Sequence, residues 1–176
     1  MNDTKQVAKD LLGKTLVRKI GTQVLSGVIT ETEAYKGKND PASHASRKKT
    51  ERNKIMFGEV GVAYVYFTYG MHYCFNVVAK KKNDKAGAVL IRAIQPQQGI
   101  NHMIKNRKTD LISNLTNGPG KLTQAMQITL KQYNHDLTKK SSLFIIDSEK
   151  PNKIIAKPRV GIKIGVDKLW NFSYKI

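Results

Sequence analysis

A single cysteine, Cys74, in 176 residues excludes an internal disulfide and any metal site built from paired thiolates. The four histidines, His44, His72, His102 and His135, stand far apart with no HExxH or comparable spacing, so neither a metal nor another cofactor is indicated. Nowhere do about 18 uncharged apolar residues run together, the length a membrane-spanning helix needs. The opening residues Met-Asn-Asp-Thr-Lys-Gln-Val hold no apolar core of signal-peptide length. The expectation is an intracellular, cytoplasmic protein with no membrane association. Acidic residues are also scarce: 13 Asp plus Glu against 31 Lys plus Arg leave a net charge of +18. A surface this positive holds an anionic partner by releasing its counterions, and nucleic acid is the first candidate. A lysine-rich organism whose proteins all drift basic would give the same number, so charge alone does not name the partner.

The length suits one domain with a real core and is short for two, so residues 1–176 read as a single domain. Residues 7–13 look like a short helix stopped by Gly13, and 15–20 and 24–30 like two antiparallel strands joined by Gly21-Thr-Gln. The strand pattern of 24–30 carries on through Tyr35. Residues 36–52 turn polar and basic, a loop with room for one helical turn. Strands are expected over 62–69, 71–79 and 88–94, after which Pro96 to Gly99 breaks the chain. One or two helices over 100–115 are interrupted by the basic residues 105–108. A turn at 117–121 is followed by a helix over 122–126, a strand at 143–146, and a strand over 154–165 entered through Pro158. Many short antiparallel strands with helices between them make this an α+β domain, a curved and mainly antiparallel sheet with helices around it.

Two stretches carry the chemistry. In Gly27-Val-Ile-Thr-Glu-Thr-Glu-Ala-Tyr35, strand alternation puts Glu31, Glu33 and Tyr35 on one face. In residues 62–76 the same alternation sends Tyr64 and Tyr66 one way and Val65 and Phe67 the other, and Tyr69-Gly70 ends the run with a residue able to stand clear. Arg92 is the odd member of an otherwise apolar strand and must find a partner or face something polar. A carboxylate approached by rings is the arrangement of a general base in a dry pocket. The bland reading makes Glu33 a sheet-edge glutamate paired with lysine and the tyrosines ordinary packing. What favours chemistry is company: flat rings, a carboxylate and excess positive charge fit the task of holding a nucleobase out of its stack. Water aligned by the glutamate can then cut the N-glycosidic bond through an oxocarbenium-like sugar.

The run Glu31-Thr-Glu-Ala-Tyr35, then His44, Arg52-Asn53, Met56-Phe57, Tyr64-Val-Tyr66, Tyr69-Gly-Met71, Asn76, Leu90-Ile-Arg92-Ala and Asn117-Gly-Pro-Gly-Lys-Leu122 resembles the alkyladenine (3-methyladenine) DNA glycosylase family. The resemblance covers nearly the whole chain, from about Gly13 to Phe172. It implies a compact, monomeric, metal-free mixed domain that flips alkylated or deaminated purines out of duplex DNA. The glycosidic bond is then hydrolysed without a lyase step, the work of base excision repair. By resemblance, Glu33 orients and deprotonates the water and Arg92 helps hold nucleotide and water. Tyr35 and Tyr66 sandwich the purine, His44 closes the pocket, and Asn76 on its floor discriminates against the guanine amino group. Tyr69 intercalates into the vacated space, and Lys121 contacts phosphate. The chain departs from the pattern in a lysine-rich connection over 80–87 and in Trp170-Asn-Phe172, where arginine is typical at the middle position. Two other readings use some of the same residues: a non-catalytic nucleic-acid binding module of basic loops and a tyrosine wedge, and a carbohydrate or nucleoside hydrolase. The first has no use for a carboxylate facing the rings, and the second predicts little dependence on salt.

Overall fold

The computed structural model describes residues 2–175, and the end positions of the expected domain, Met1 and Ile176, lie outside the described residues. In chain order the elements are α1 (Thr4–Asp10), β1 (Thr15–Ile20), β2 (Gln23–Lys36), β3 (Ala63–Thr68), β4 (His72–Val78) and β5 (Gly87–Gln98). There follow α2 (Ile100–Arg107), α3 (Pro119–Ala125), β6 (Leu143–Ile146), β7 (Ile155–Lys157) and β8 (Asn171–Ser173). Every pairing is antiparallel, and the order across the sheet is β3-β4-β5-β2-β1-β6, with β8 beside β2 and β7 beside β8. This is the expected α+β architecture: a curved sheet with helices packed on it.

Strand β2 is the hub. Along one edge it pairs with β5 from Ser26 to Lys36. Its other edge is shared, Gln23 to Val28 with β1 and Glu31 to Glu33 with β8. Register shifts at Ser26/Gly27 and on both sides of Glu31 interrupt the β2–β5 ladder. Such irregularities bend a strand and increase its twist. The bend is where β2 leaves β1 and takes up β8, and Glu31 sits on it.

Period-two alternation then divides the sheet into two faces with different jobs. Ile29, Ala34, Val65, Phe75, Val77, Val89 and Ile91 pack with Ala8, Leu12, Met103, Leu122 and Met126 of the helices. Each large apolar side chain buried there contributes about 1.5–3 kcal/mol, so this face supplies the main core. Thr32 ties α1 to the same face by donating to the Ala8 carbonyl at 2.8 Å. The opposite face carries Glu33, Tyr35, Tyr64, Tyr66, Cys74, Asn76, Leu90 and Arg92. Beneath it a smaller cluster joins Tyr64, Val78 and Ala88 to Ala45, Ile55 and Met56 from the loop before β3.

Strands 15–20 and 143–146 lie where the sequence places them, and three other expectations are corrected. The chain does not break at Pro96: β5 runs on to Gln98, because Pro96 lies at the irregularity opposite Gly27, where a residue without an N–H is tolerated. The break comes at Gly99, whose φ of 76° starts α2 directly. As expected, the helical stretch over 100–115 is interrupted among the basic residues: α2 ends at Arg107, Lys108 turns left-handed at φ 51°, and a short 3-10 turn follows at Ile112–Asn114. Residues 117–121 are not a free turn, since Gly118 caps α3 and Pro119 occupies its first position, where no N–H is missed. The strand expected over 154–165 is only Ile155–Lys157. Beyond Pro158 the chain folds back over the mouth of β2, with Gly161 and Gly165 at positive φ.

Candidate active site

The polar face of the sheet forms the wall of a cavity of about 330 Å3. A larger, shallower groove of about 790 Å3 beside Gly13, Glu149 and Tyr174 is bordered only by exposed or half-exposed titratable groups. The smaller cavity is therefore the candidate. It receives Glu33 and Tyr35 from β2, Tyr64 and Tyr66 from β3, Cys74 and Asn76 from β4, Arg92 from β5, His44 from the loop over 37–53, and Val160 from the returning loop.

Glu33 is fully buried. Its Oε1 accepts from the Val160 backbone N–H at 2.7 Å and from Asn171 Nδ2 at 3.1 Å, and its Oε2 accepts from the Tyr35 hydroxyl at 2.8 Å. Arg92 Nε lies 3.6 Å from Oε1. A buried carboxylate without such partners would be strongly disfavoured. With them it is held in place, and because a carboxylate offers about four acceptor positions, Oε2 keeps room for one more donor. Burial, and then the adjacent Glu33 carboxylate, push the Tyr35 phenol far above its ordinary range, so it stays a neutral donor.

Arg92 finds the partner its strand position demanded, though the nearer one is Glu31: Nε donates to Glu31 Oε1 at 3.1 Å. Asn171 Nδ2 also reaches Glu31 Oε1, at 2.6 Å. Glu31, Glu33 and Tyr35 thus do share a face, stitched together by β5 and β8.

The aromatic wall is equally fixed. His44 stands edge-on to Tyr66, ring centroids 4.8 Å apart at 74°, and its Nδ1 is 3.0 Å from the Tyr64 hydroxyl. Tyr64 and Tyr66 lie 5.1 Å apart, and the Arg52 guanidinium sits 4.8 Å over the Tyr66 ring. Burial, then the nearby Arg52 charge, lower the His44 pKa, which keeps its ring neutral. Asn53 holds the His44 loop in place by donating to the His44 and Lys48 carbonyls at 2.7 and 2.9 Å.

Asn76 lines the cavity and gives one amide hydrogen to the Tyr64 carbonyl at 2.9 Å. Tyr69 is on the rim, 84% exposed, in a turn where it and Gly70 both have positive φ, 51° and 66°. Two consecutive positive φ values match the right-handed twist of a hairpin, and a tyrosine there costs roughly 1–2 kcal/mol of backbone strain. Lys121 does not line the cavity; on the first turn of α3, its ammonium is bound by the side-chain oxygens of Asn114 and Asn117. The structure thus gathers Glu33, Arg92, Tyr35, His44, Tyr66 and Asn76 around one space, sets Tyr69 at its edge and leaves Lys121 outside.

Sequence reasoning missed several supports. Arg159 and Asp40, both fully buried, form a two-pronged ion pair at 2.7 Å for each contact. The guanidinium also lies against the rings of Tyr35 and Trp170, at 4.7 and 5.1 Å. Nothing in the sequence links residues so far apart, and an arginine after proline reads as surface charge. Asn171 carried a weak signal, as an asparagine where the family pattern leads one to expect arginine. Among the described residues no group of three or more His, Cys, Asp or Glu could hold a metal ion, and no helix is long and apolar enough to cross a membrane.

Fold, cavity and charge define a class: a basic α+β protein with a ring-walled pocket around a buried carboxylate. Residues 1–175 match the family model described as Methylpurine-DNA glycosylase (MPG). A protein of Prosthecochloris aestuarii provisionally named 3-methyladenine DNA glycosylase is 50% identical over 173 residues, 95% of this chain and 81% of that one. Proteins of the same provisional name from Carboxydothermus hydrogenoformans and Clostridium novyi are 49% and 45% identical, each over 98% of this chain and 91% and 90% of theirs. The chain belongs to the methylpurine-DNA glycosylase family, as the sequence resemblance implied.

Proposed function

We propose that residues 1–176 form one monomeric domain acting as a monofunctional DNA N-glycosylase. It flips alkylated or deaminated purines of the 3-methyladenine type out of duplex DNA and hydrolyses the N-glycosidic bond with a water activated by Glu33, leaving an abasic site. Family membership supports glycosylase activity on alkylated purines. The observation that carries the mechanism is the state of Glu33: sequestered, with Oε1 taken by Val160 and Asn171 and with acceptor capacity left on Oε2 beside Tyr35. A water donating to Oε2 is aligned for attack on the sugar C1′. Its oxygen bonds to C1′ as the C1′–N bond breaks, the electron pair leaves with the purine, and the water proton passes to the carboxylate. A single base-like carboxylate suffices because a purine such as 3-methyladenine is cationic and departs neutral, while a deaminated purine departs neutral once it is protonated on the ring.

The other residues bind and orient. Tyr35 and Tyr66 offer faces to the flipped base, His44 closes the pocket as a neutral ring, and Asn76 reads the base edge. Arg92 holds the nucleotide and water, Tyr69 fills the gap in the duplex, and Lys121 contacts phosphate. Among the described residues no lysine lines the cavity, which supports hydrolysis over attack by an amine. A simple binding module would gain nothing from burying Glu33 at the centre of the rings.

The test is release of free 3-methyladenine from methylated duplex DNA by the wild type and by Glu33→Gln. The variant is expected to bind the duplex as before and to lose about 10²–10⁴-fold in release, the usual worth of a positioned proton-transfer group. Near-normal release by the variant would remove Glu33 from the reaction, and strand nicking without added base would point to an amine nucleophile.

A further inference from the structure

The proposed hydrolysis needs Glu33 to keep an acceptor position turned to the cavity and Arg92 to keep N–H groups for nucleotide and water. Left to themselves the two would defeat this, because a carboxylate beside a guanidinium tends to close into a two-pronged pair that uses both. That closure has not happened. Arg92 Nε is 3.1 Å from Glu31 Oε1 and 3.6 Å from Glu33 Oε1, so its shorter contact goes to the carboxylate at the strand irregularity rather than to Glu33. Between the two carboxylates stands Asn171, whose Nδ2 is 2.6 Å from Glu31 Oε1 and 3.1 Å from Glu33 Oε1. Asn171 is buried, on β8 directly across from Glu33. A carboxamide nitrogen has two hydrogens to give, and each here meets one carboxylate.

We propose that Glu31 and Asn171 are a positioning pair for the reaction. Glu31, placed at the bend of β2, draws Arg92 off Glu33. Asn171 separates two like charges that share a face and fixes Glu33 through Oε1, which leaves Oε2 aimed at the water. Neither residue touches the reacting atoms; both act through Glu33 and Arg92. The inference deepens the glycosylase reading and rests on it.

Single-turnover release of 3-methyladenine from methylated duplex, together with affinity for a duplex carrying a stable abasic-site analogue, tests the pair. Asn171→Asp keeps the shape but replaces the shared donor with a third carboxylate. Release is expected to slow roughly 10–100-fold, the worth of a hydrogen bond to a charged group, with affinity for the abasic analogue unchanged. Adding Glu31→Gln reverses donor and acceptor across the 2.6 Å contact and removes one of the three carboxylates, but returns no donor to Glu33 Oε1, so it is expected to recover part of the rate. If Asn171→Asp does not fold, Asn171→Ser carries the same expectation of slower release at unchanged affinity.

Wild-type release with a dead Glu33→Gln and unimpaired Asn171 variants overturns the positioning pair and leaves the glycosylase reading standing. Rate and affinity falling together, or no recovery in the double variant, also overturns it, since either marks plain packing. A wild type that releases no purine overturns both.

Discussion

Replacing Arg159 with methionine tests whether the buried ion pair builds the cavity wall. Methionine keeps much of the apolar bulk against Tyr35 and Trp170 and removes the charge. It leaves the Asp40 carboxylate fully buried with only the Lys36 backbone N–H, 2.9 Å away, of its present hydrogen bonds. It also removes the donor to the Ala34 carbonyl, now 3.0 Å away. Breaking such a pair from one side costs about 3–5 kcal/mol, against a total stability of roughly 5–15 kcal/mol for a domain. For a chain of this size that is a fall of about 6–20 °C in Tm. Adding Asp40→Asn removes the stranded charge while still offering an oxygen to Lys36, so the double variant is expected to be more stable than Arg159→Met alone. Thermal melts of the wild type, both single variants and the double variant give the coupling directly. Base release measured well below the melting range is expected to fall too, because Arg159 precedes the Val160 N–H that holds Glu33 and supports the ring of Tyr35. An Arg159→Met protein melting within about 2 °C of the wild type, less than the shift of 1 kcal/mol, or costs that simply add in the double variant, would refute the reasoning.

Tyr69→Ala should weaken base flipping, followed by the fluorescence of a base analogue at the lesion, more than it weakens binding to undamaged duplex; equal losses would make Tyr69 a packing residue. His44 gives a pH dependence of stability with a definite sign. Burial and Arg52 hold its folded pKa below the free value of 6.5, so as pH falls the unfolded chain takes up the proton first. Its contribution is therefore full above that value and is lost as pH falls through 6.5 toward the folded pKa. His44→Gln should flatten the decline of Tm below pH 6.5, and an unchanged decline would mean that folding does not hold the ring neutral.

What could be read from the sequence, and what could not, follows from the range of the forces involved. Alternation is local, so the two faces of β2, β3, β4 and β5 were legible, and with them the grouping of Glu33 with Tyr35 and of Tyr64 with Tyr66. Turn chemistry is local too, but its outcome depends on the neighbour. Pro96 would end an isolated strand, and stays inside β5 only because the chain opposite is irregular at Gly27. Pro119 reads as part of a turn until the helix it opens packs so closely on β4 that a Cβ at Gly120 would lie 2.9 Å from the His72 ring.

The site divides the same way. Residues that meet the cavity directly could be found from type and spacing, whereas those holding them could not, since Asp40 with Arg159 and Glu33 with Asn171 are joined only once the chain has folded. A lone arginine or asparagine far along the sequence carries no mark of its partner. The hidden part is nevertheless the demanding one. Burying Glu33 costs far more than exposing it, and only donors fixed in advance by β8 and the loop after β7 make that burial tolerable. The carboxylate that can be picked out by eye is therefore usable as a base because of neighbours that cannot. Substitutions at Asn171 and Arg159, whose partners the sequence does not mark, should for that reason affect chemistry more than changes at the many exposed lysines.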